Sequence, residues 1–177
     1  SGGIRATALG ASEFNIQVSG NTGHLSDPGL LLPKKNMPVI RLAIDADELS
    51  IDNLVGRLTQ AVIEFDLSDY DQFALAFEWS GEFDYELLKR FCDAIVAYIE
   101  SEATSPDKPL YLLFDRDLAQ SVGRILTTEY RIERPLLVLD GLRFKEFEFV
   151  DLGRIRLPSR TVPVTVKSLI FQSHGMS

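Results

Sequence analysis

Apolar residues recur at two different periods along this chain, and the change of period marks its organisation. Ile4 to Leu9 is a short β-favouring stretch, and Phe14-Asn15-Ile16-Gln17-Val18 alternates apolar with polar, the period of a half-buried strand. Gly10-Ala11-Ser12-Glu13 lies between them, so an N-terminal β-hairpin turning there is expected. Residues 19–37 hold Gly20, Gly23, Pro28, Gly29 and Pro33 beside Asn21 and Asp27, and read as a long loop.

From Pro38 strands and helices alternate. Val39 to Ile44 is a strand, and Ser50 is placed to cap a helix whose Ile51, Leu54, Val55, Leu58, Ala61, Val62 and Phe65 recur every three or four residues. Phe73 to Phe77 is a continuous apolar run of strand length, as in a strand buried on both faces. A helix follows, with Asp84 and Glu86 at its start and Leu87, Leu88, Phe91, Cys92, Ile95 and Ile99 along one stripe. Leu110 to Phe114 is the next strand, Asp115 is expected to cap a helix carrying Leu118, Val122, Ile125 and Leu126, and Leu136 to Leu139 is a further strand. Phe147 to Val150 and Val162 to Phe171 predict a β-rich tail broken at Gly153 and Pro158, with Pro163 placing the last strand's start, or the strand itself, at a sheet edge.

Successive strand–helix units predict an α/β domain with a largely parallel sheet and helices on its faces. This order also matches a ribonuclease-H-like sheet, the half-fold of actin-like ATPases. A single domain over residues 4–177, part of a longer protein, is expected, with Ser1-Gly2-Gly3 a cloning scar.

Composition narrows the function classes. At 45% apolar, 25% charged and a mean hydropathy of +0.03, the chain is an ordinary globular sequence, and no apolar run reaches the length of a membrane span. One cysteine, Cys92, and two histidines, His24 and His174, exclude an internal disulfide and a structural zinc site. Residues 45–107 carry sixteen acids against three bases, which disfavours nucleic-acid binding through that half.

Candidate chemistry is sparse. Ligands of open α/β sheets sit beyond the carboxyl ends of the strands, and here those ends carry Asp45, Glu78, Asp115 and Asp140. Glu78, Asp115 and Asp140, brought together, would hold Mg²⁺, although turns into helices select acids for capping alone. Gly10-Ala11-Ser12 and Ser19-Gly20-Asn21-Thr22-Gly23 are small, polar and able to present backbone N–H groups to a phosphate, with Lys34 and Lys35 as supporting charge. Cys92 falls on an apolar stripe and reads as a core thiol. Trp79 reads as a pocket-lining or sheet-closing aromatic, and Lys167, alone in its strand, as a phosphate contact or an edge guard.

Four groups of residues carry a family resemblance: Ile4 to Ser12 with Val18 to Thr22; Leu32 to Val39; Asp115 to Ala119 with Val122-Gly123; and Asp140-Gly141, Phe149 to Gly153 and Val162 to Phe171. Together they resemble the C-terminal part of the ethanolamine ammonia-lyase reactivating factors, the ethanolamine utilisation protein EutA family. The resemblance implies an actin-like protein that uses ATP and Mg²⁺ in a chaperone-like release of damaged cobalamin from the lyase, cytoplasmic and associated with a bacterial microcompartment. Its implied partners are the lyase and the N-terminal half of the same protein, with no nucleic acid and no membrane. It also places nucleotide contacts at Gly10, Ala11, Ser12, Ser19, Gly20 and Thr22, with Ser12 standing where the family turn has a second glycine. Without the first phosphate loop, the chain alone is not expected to hydrolyse ATP, and its acidic helices and long loop become candidate lyase contacts. The alternative from the residues alone is a small-molecule or Mg²⁺-binding enzyme domain using the strand-end acids; a third reading is a domain that only stabilises its other half.

Overall fold

A computed structural model describes residues 4–18, 23–24, 28–65, 72–101, 108–143 and 149–173. Eight strands form one sheet: β1 (Ile4–Gln17), β2 (Gly23–His24), β3 (Lys34–Asp45), β4 (Ala74–Ser80), β5 (Leu110–Phe114), β6 (Leu136–Leu139), β7 (Phe149–Leu152) and β8 (Thr161–Ser173). Their spatial order is β1-β8-β7-β3-β4-β5-β6-β2. The helices are α1 (Pro28–Leu31), α2 (Ile51–Phe65), α3 (Tyr85–Ser101) and α4 (Ala119–Arg124), which runs directly into a π-helix, Ile125–Glu129.

The α/β class is as expected, but the sheet is mixed instead of largely parallel. Only β3, β4, β5 and β6 run parallel, and β7, β8 and β1 continue the sheet antiparallel from β3. The chain steps from β3 to β6 in one direction, and right-handed crossovers that all step the same way put every helix on the same side. Accordingly α2, α3 and α4 share one core with Ile40, Leu42 and Ile44 of β3, Leu75, Phe77 and Trp79 of β4, and Leu112 and Phe114 of β5. The opposite face needs another cover. There Ala74, Ala76, Tyr111, Leu113, Leu137 and Leu139 form a second core with Val150 and Leu152 of β7 and Val162, Val164 and Val166 of β8, because the sheet curls. Helices on both faces, the expected arrangement, are therefore replaced by one helical layer and one β layer. Tyr111 ties the second layer down: its buried hydroxyl donates to the Leu31 carbonyl at 2.6 Å.

The expected N-terminal hairpin is also corrected. Ile4 to Gln17 is one strand paired along its length with β8, so Gly10, Ala11 and Ser12 lie opposite Ser168, Lys167 and Val166 instead of forming a turn. Gly10 marks only a bulge, where the register slips between Ala8 and Gly10. Within residues 19–37 the structure describes β2, paired with β6, then α1 and the start of β3. Residues 144–148, which include the first two residues of the expected Phe147–Val150 strand, lie outside the described residues.

Local capping follows the sequence at two helices. Ser50 Oγ accepts from the Asn53 N–H, and Asp84 Oδ1 from the Leu87 N–H. The cap expected at Asp115 is wrong. Asp115 accepts from the Trp79 N–H instead, and the carboxylate at the start of α4 belongs to Asp140, which accepts from the Ala119 N–H at 2.8 Å.

β8 is not an edge strand, since β1 and β7 flank it. Pro163, its third residue, is tolerated because the β7 ladder ends at Leu152, opposite Val164, and Gly153 donates to the Pro163 carbonyl at 2.8 Å. A Cβ at Gly153 would meet Pro163 Cγ at 2.9 Å, so glycine is required by close approach. Lys167 accordingly guards no edge. Its ammonium lies 2.9 Å from Asp151 and also donates to Asn36 Oδ1, while Asp151 accepts from the Asn36 N–H, joining β3, β7 and β8.

Candidate functional site

The four parallel strands bring their carboxyl ends to one rim, where an α/β sheet ordinarily binds ligands. Each acid at that rim has its own partner. Asp45 accepts from the Asp47 N–H at 3.0 Å and shapes the turn that follows β3. Glu78, on the same side of β4 as Ala74 and Ala76, lies 3.7 Å from the Arg41 guanidinium. Asp115 clamps the ends of β4 and β5 through the Trp79 N–H at 3.0 Å, and Asp140 caps α4. Among the described residues no group of three or more His, Cys, Asp or Glu is placed to hold a metal ion.

Asp140 has the most unusual setting of the four. Burial pushes its carboxyl above the ordinary value, the Ala119 N–H pulls it back, and the neighbouring Asp117 carboxyl adds to the rise. A carboxyl raised in the folded state adds stability below its unfolded value of about 3.9, and that stability is lost as pH rises through the folded value. Asp140→Asn keeps an acceptor for Ala119 and should hold its stability above about pH 4 while the native protein declines. Asp140→Ala removes the cap and should cost about 1 kcal/mol at any pH. Urea denaturation at a series of pH values checks both.

The remaining candidates separate into core and surface. Burial pushes the Cys92 thiol far up, as befits an inert core residue among the helix stripe. Trp79 is buried, edge-on to Phe83 and Phe91, and serves to close the core. Gly10, Ala11 and Ser12 lie on β1, which forms one edge of the sheet. Ser19, Gly20, Thr22 and His174 lie outside the described residues.

Two connected depressions lie on the α2 side of the rim. A cleft of about 160 Å³ is lined by Asp45, Glu48, Asn53, Arg57 and Ser80. It shares Asn53 and Arg57 with a shallow groove of about 540 Å³ running along α2 past Arg41, Gln60 and Glu64. Neither charge sign dominates, and the groove is open. α2 and α3 pack side by side and expose Asp52, Glu64, Glu86 and Glu100. Such a surface is suited to a polar protein partner more than to an enclosed small molecule. Spacing along the helices made the acids legible; the cleft was missed because it joins two strand ends with a helix flank.

The fold and the rim define a class: an α/β domain with one helical and one β face, its strand-end acids tied down singly beside a broad mixed-charge groove. The chain belongs to the ethanolamine utilisation protein EutA family, whose model matches residues 1–172. It is 33% identical over 172 residues to the ethanolamine ammonia-lyase reactivase EutA of Escherichia coli (strain K12), and 31% identical over the same length to that of Salmonella typhimurium (strain LT2). Each alignment covers 96% of this chain and 34% of the relative, so the chain spans about a third of the length of the curated relatives it matches. No solved structure matches it.

Proposed function

We propose that this chain is the C-terminal portion of an ethanolamine ammonia-lyase reactivase and supplies the surface that meets the lyase. The observation that carries this reading is the family match over residues 1–172, joined to a rim whose acids each hold a separate structural partner. In this reading the full-length protein binds ATP and Mg²⁺, moves its two halves in an actin-like manner, and releases damaged cobalamin from the lyase in the cytoplasm. β1, as an edge strand, offers the backbone of Gly10, Ala11 and Ser12 toward the rest of that protein. The α2 and α3 surface, with the groove beside it, is the lyase contact.

The test is charge reversal in the full-length reactivase. Replacing Glu64, Glu86 and Glu100 together by lysine should weaken lyase binding at least tenfold, with circular dichroism unchanged. Lyase binding at the native strength would remove this surface from the interaction.

A further inference from the structure

α2 carries a glycine that the packing around it does not explain. Gly56 stands exposed within Ile51–Phe65, where glycine weakens a helix relative to alanine because it gives up more backbone freedom on folding. Other glycines have a local reason. Gly153 is held by Pro163, and Gly81 by its φ of 95° and by Ala46, 2.9 Å from where a Cβ would lie. Gly56 has neither: its backbone is helical, and a Cβ built there meets nothing within 4 Å. The open space is the groove of about 540 Å³ that runs along α2 beside β3, with Gly56 in its lining. A glycine so placed lets the atoms of another molecule come up to the helix backbone.

The chemistry beside Gly56 points to the kind of molecule. Asn53, Gly56, Arg57, Gln60 and Glu64 recur at three- and four-residue spacing, so they share the exposed face of α2 opposite buried Leu54 and Leu58. Some of the groove's polar groups are already engaged: Gln60 Nε2 donates to Glu64 Oε1 at 2.8 Å, and the Arg41 guanidinium lies 3.7 Å from Glu78. The Arg57 guanidinium and the Asn53 carboxamide have no partner among the described residues, and both residues are exposed where the groove meets the rim cleft. An unpaired guanidinium is complementary to a carboxylate, and a free carboxamide, donor and acceptor together, matches a peptide group.

We propose that a segment of the lyase lies in this groove, its backbone against Gly56 and Asn53 and an aspartate or glutamate side chain on Arg57. At roughly 30 Å³ per non-hydrogen atom the groove takes about 18 atoms, on the order of two or three residues. This contact rests on the lyase reading and narrows it from the whole α2 and α3 surface to one groove and one charge pair.

Calorimetric titration of the full-length reactivase with ethanolamine ammonia-lyase tests it, beside urea denaturation of each variant. Gly56→Gln puts a side chain into the groove and a better helix former into α2, so it should weaken lyase binding at least tenfold while raising the urea midpoint. A glycine with only a structural role would not move affinity and stability in opposite directions. Arg57→Glu should also weaken binding at least tenfold, and Arg57→Lys, which keeps the charge, no more than about threefold. Native affinity in Gly56→Gln or Arg57→Glu, with weak binding by the variant carrying lysine for Glu64, Glu86 and Glu100, would overturn the groove contact and leave the wider surface standing. Native affinity in that triple variant as well would overturn the lyase reading together with it. A lowered urea midpoint in Gly56→Gln would show that the fold needs the glycine and would equally overturn the contact.

Discussion

Asp151→Ala should destabilise the protein by about 3 kcal/mol, read as a lowered urea midpoint. The expectation comes from a knot of three side chains on three strands. β3 slips register against β7 between Lys34 and Met37, and Asn36 sits in that slip with φ 52°. Asp151 fills the irregularity, one oxygen accepting from the Asn36 N–H at 2.7 Å and the other lying 2.9 Å from the Lys167 ammonium. The Lys167 side chain is only 16% exposed, so removing Asp151 leaves a largely buried ammonium with Asn36 Oδ1 as its remaining acceptor. Asp151→Ala with Lys167→Met should recover part of the loss, since the stranded charge goes with the lysine. A loss below about 1 kcal/mol for Asp151→Ala would mean that solvent reaches the ammonium.

Phe77→Ala should cost about 4 kcal/mol, the largest effect expected of any single core substitution here. Phe77 is fully buried at the centre of the helical face, edge-on to Phe91 at 4.9 Å and stacked on Phe114 at 5.5 Å. The ring therefore links β4 to both α3 and β5, and its removal leaves a cavity walled by two rigid aromatics that collapse poorly. Phe77→Leu should cost less than half as much. Equal losses for the two variants would show that the aromatic contacts, which both remove, outweigh the volume that only Phe77→Ala empties.

The features legible in the sequence are those whose causes are local. Ser50 reaches Asn53 and Asp84 reaches Leu87, both three residues on, and the stripes of α2 and α3 are visible as spacing. The cap on α4 was not legible, because Asp140 stands 21 residues from Ala119 and reaches it only once β6 lies beside β5. Asp115, the local candidate, is drawn to Trp79, 36 residues away, by the pairing of β4 with β5. Gly10-Ala11-Ser12 has turn composition, yet the partner that keeps it extended, Val166 to Ser168, lies more than 150 residues later. Nor does one sequence order distinguish helices on both faces from helices on one; the direction in which successive strands are added decides that. The resemblance reached further than periodicity. Three of the stretches that carry it, Leu32 to Val39, Phe149 to Gly153 and Val162 to Phe171, supply Asn36, Asp151 and Lys167 and meet in one place.

The division of labour proposed for the reactivase is tested most directly by calorimetric titration of ATP with Mg²⁺ into this chain and into the full-length protein, with lyase capture by the immobilised chain measured in parallel. Nucleotide binding by the full-length protein alone, together with lyase capture by the chain, is the expected result. Saturable ATP binding by residues 1–177 without lyase capture would contradict it and would move the nucleotide site onto this chain, at Gly10, Ser12 and Thr22.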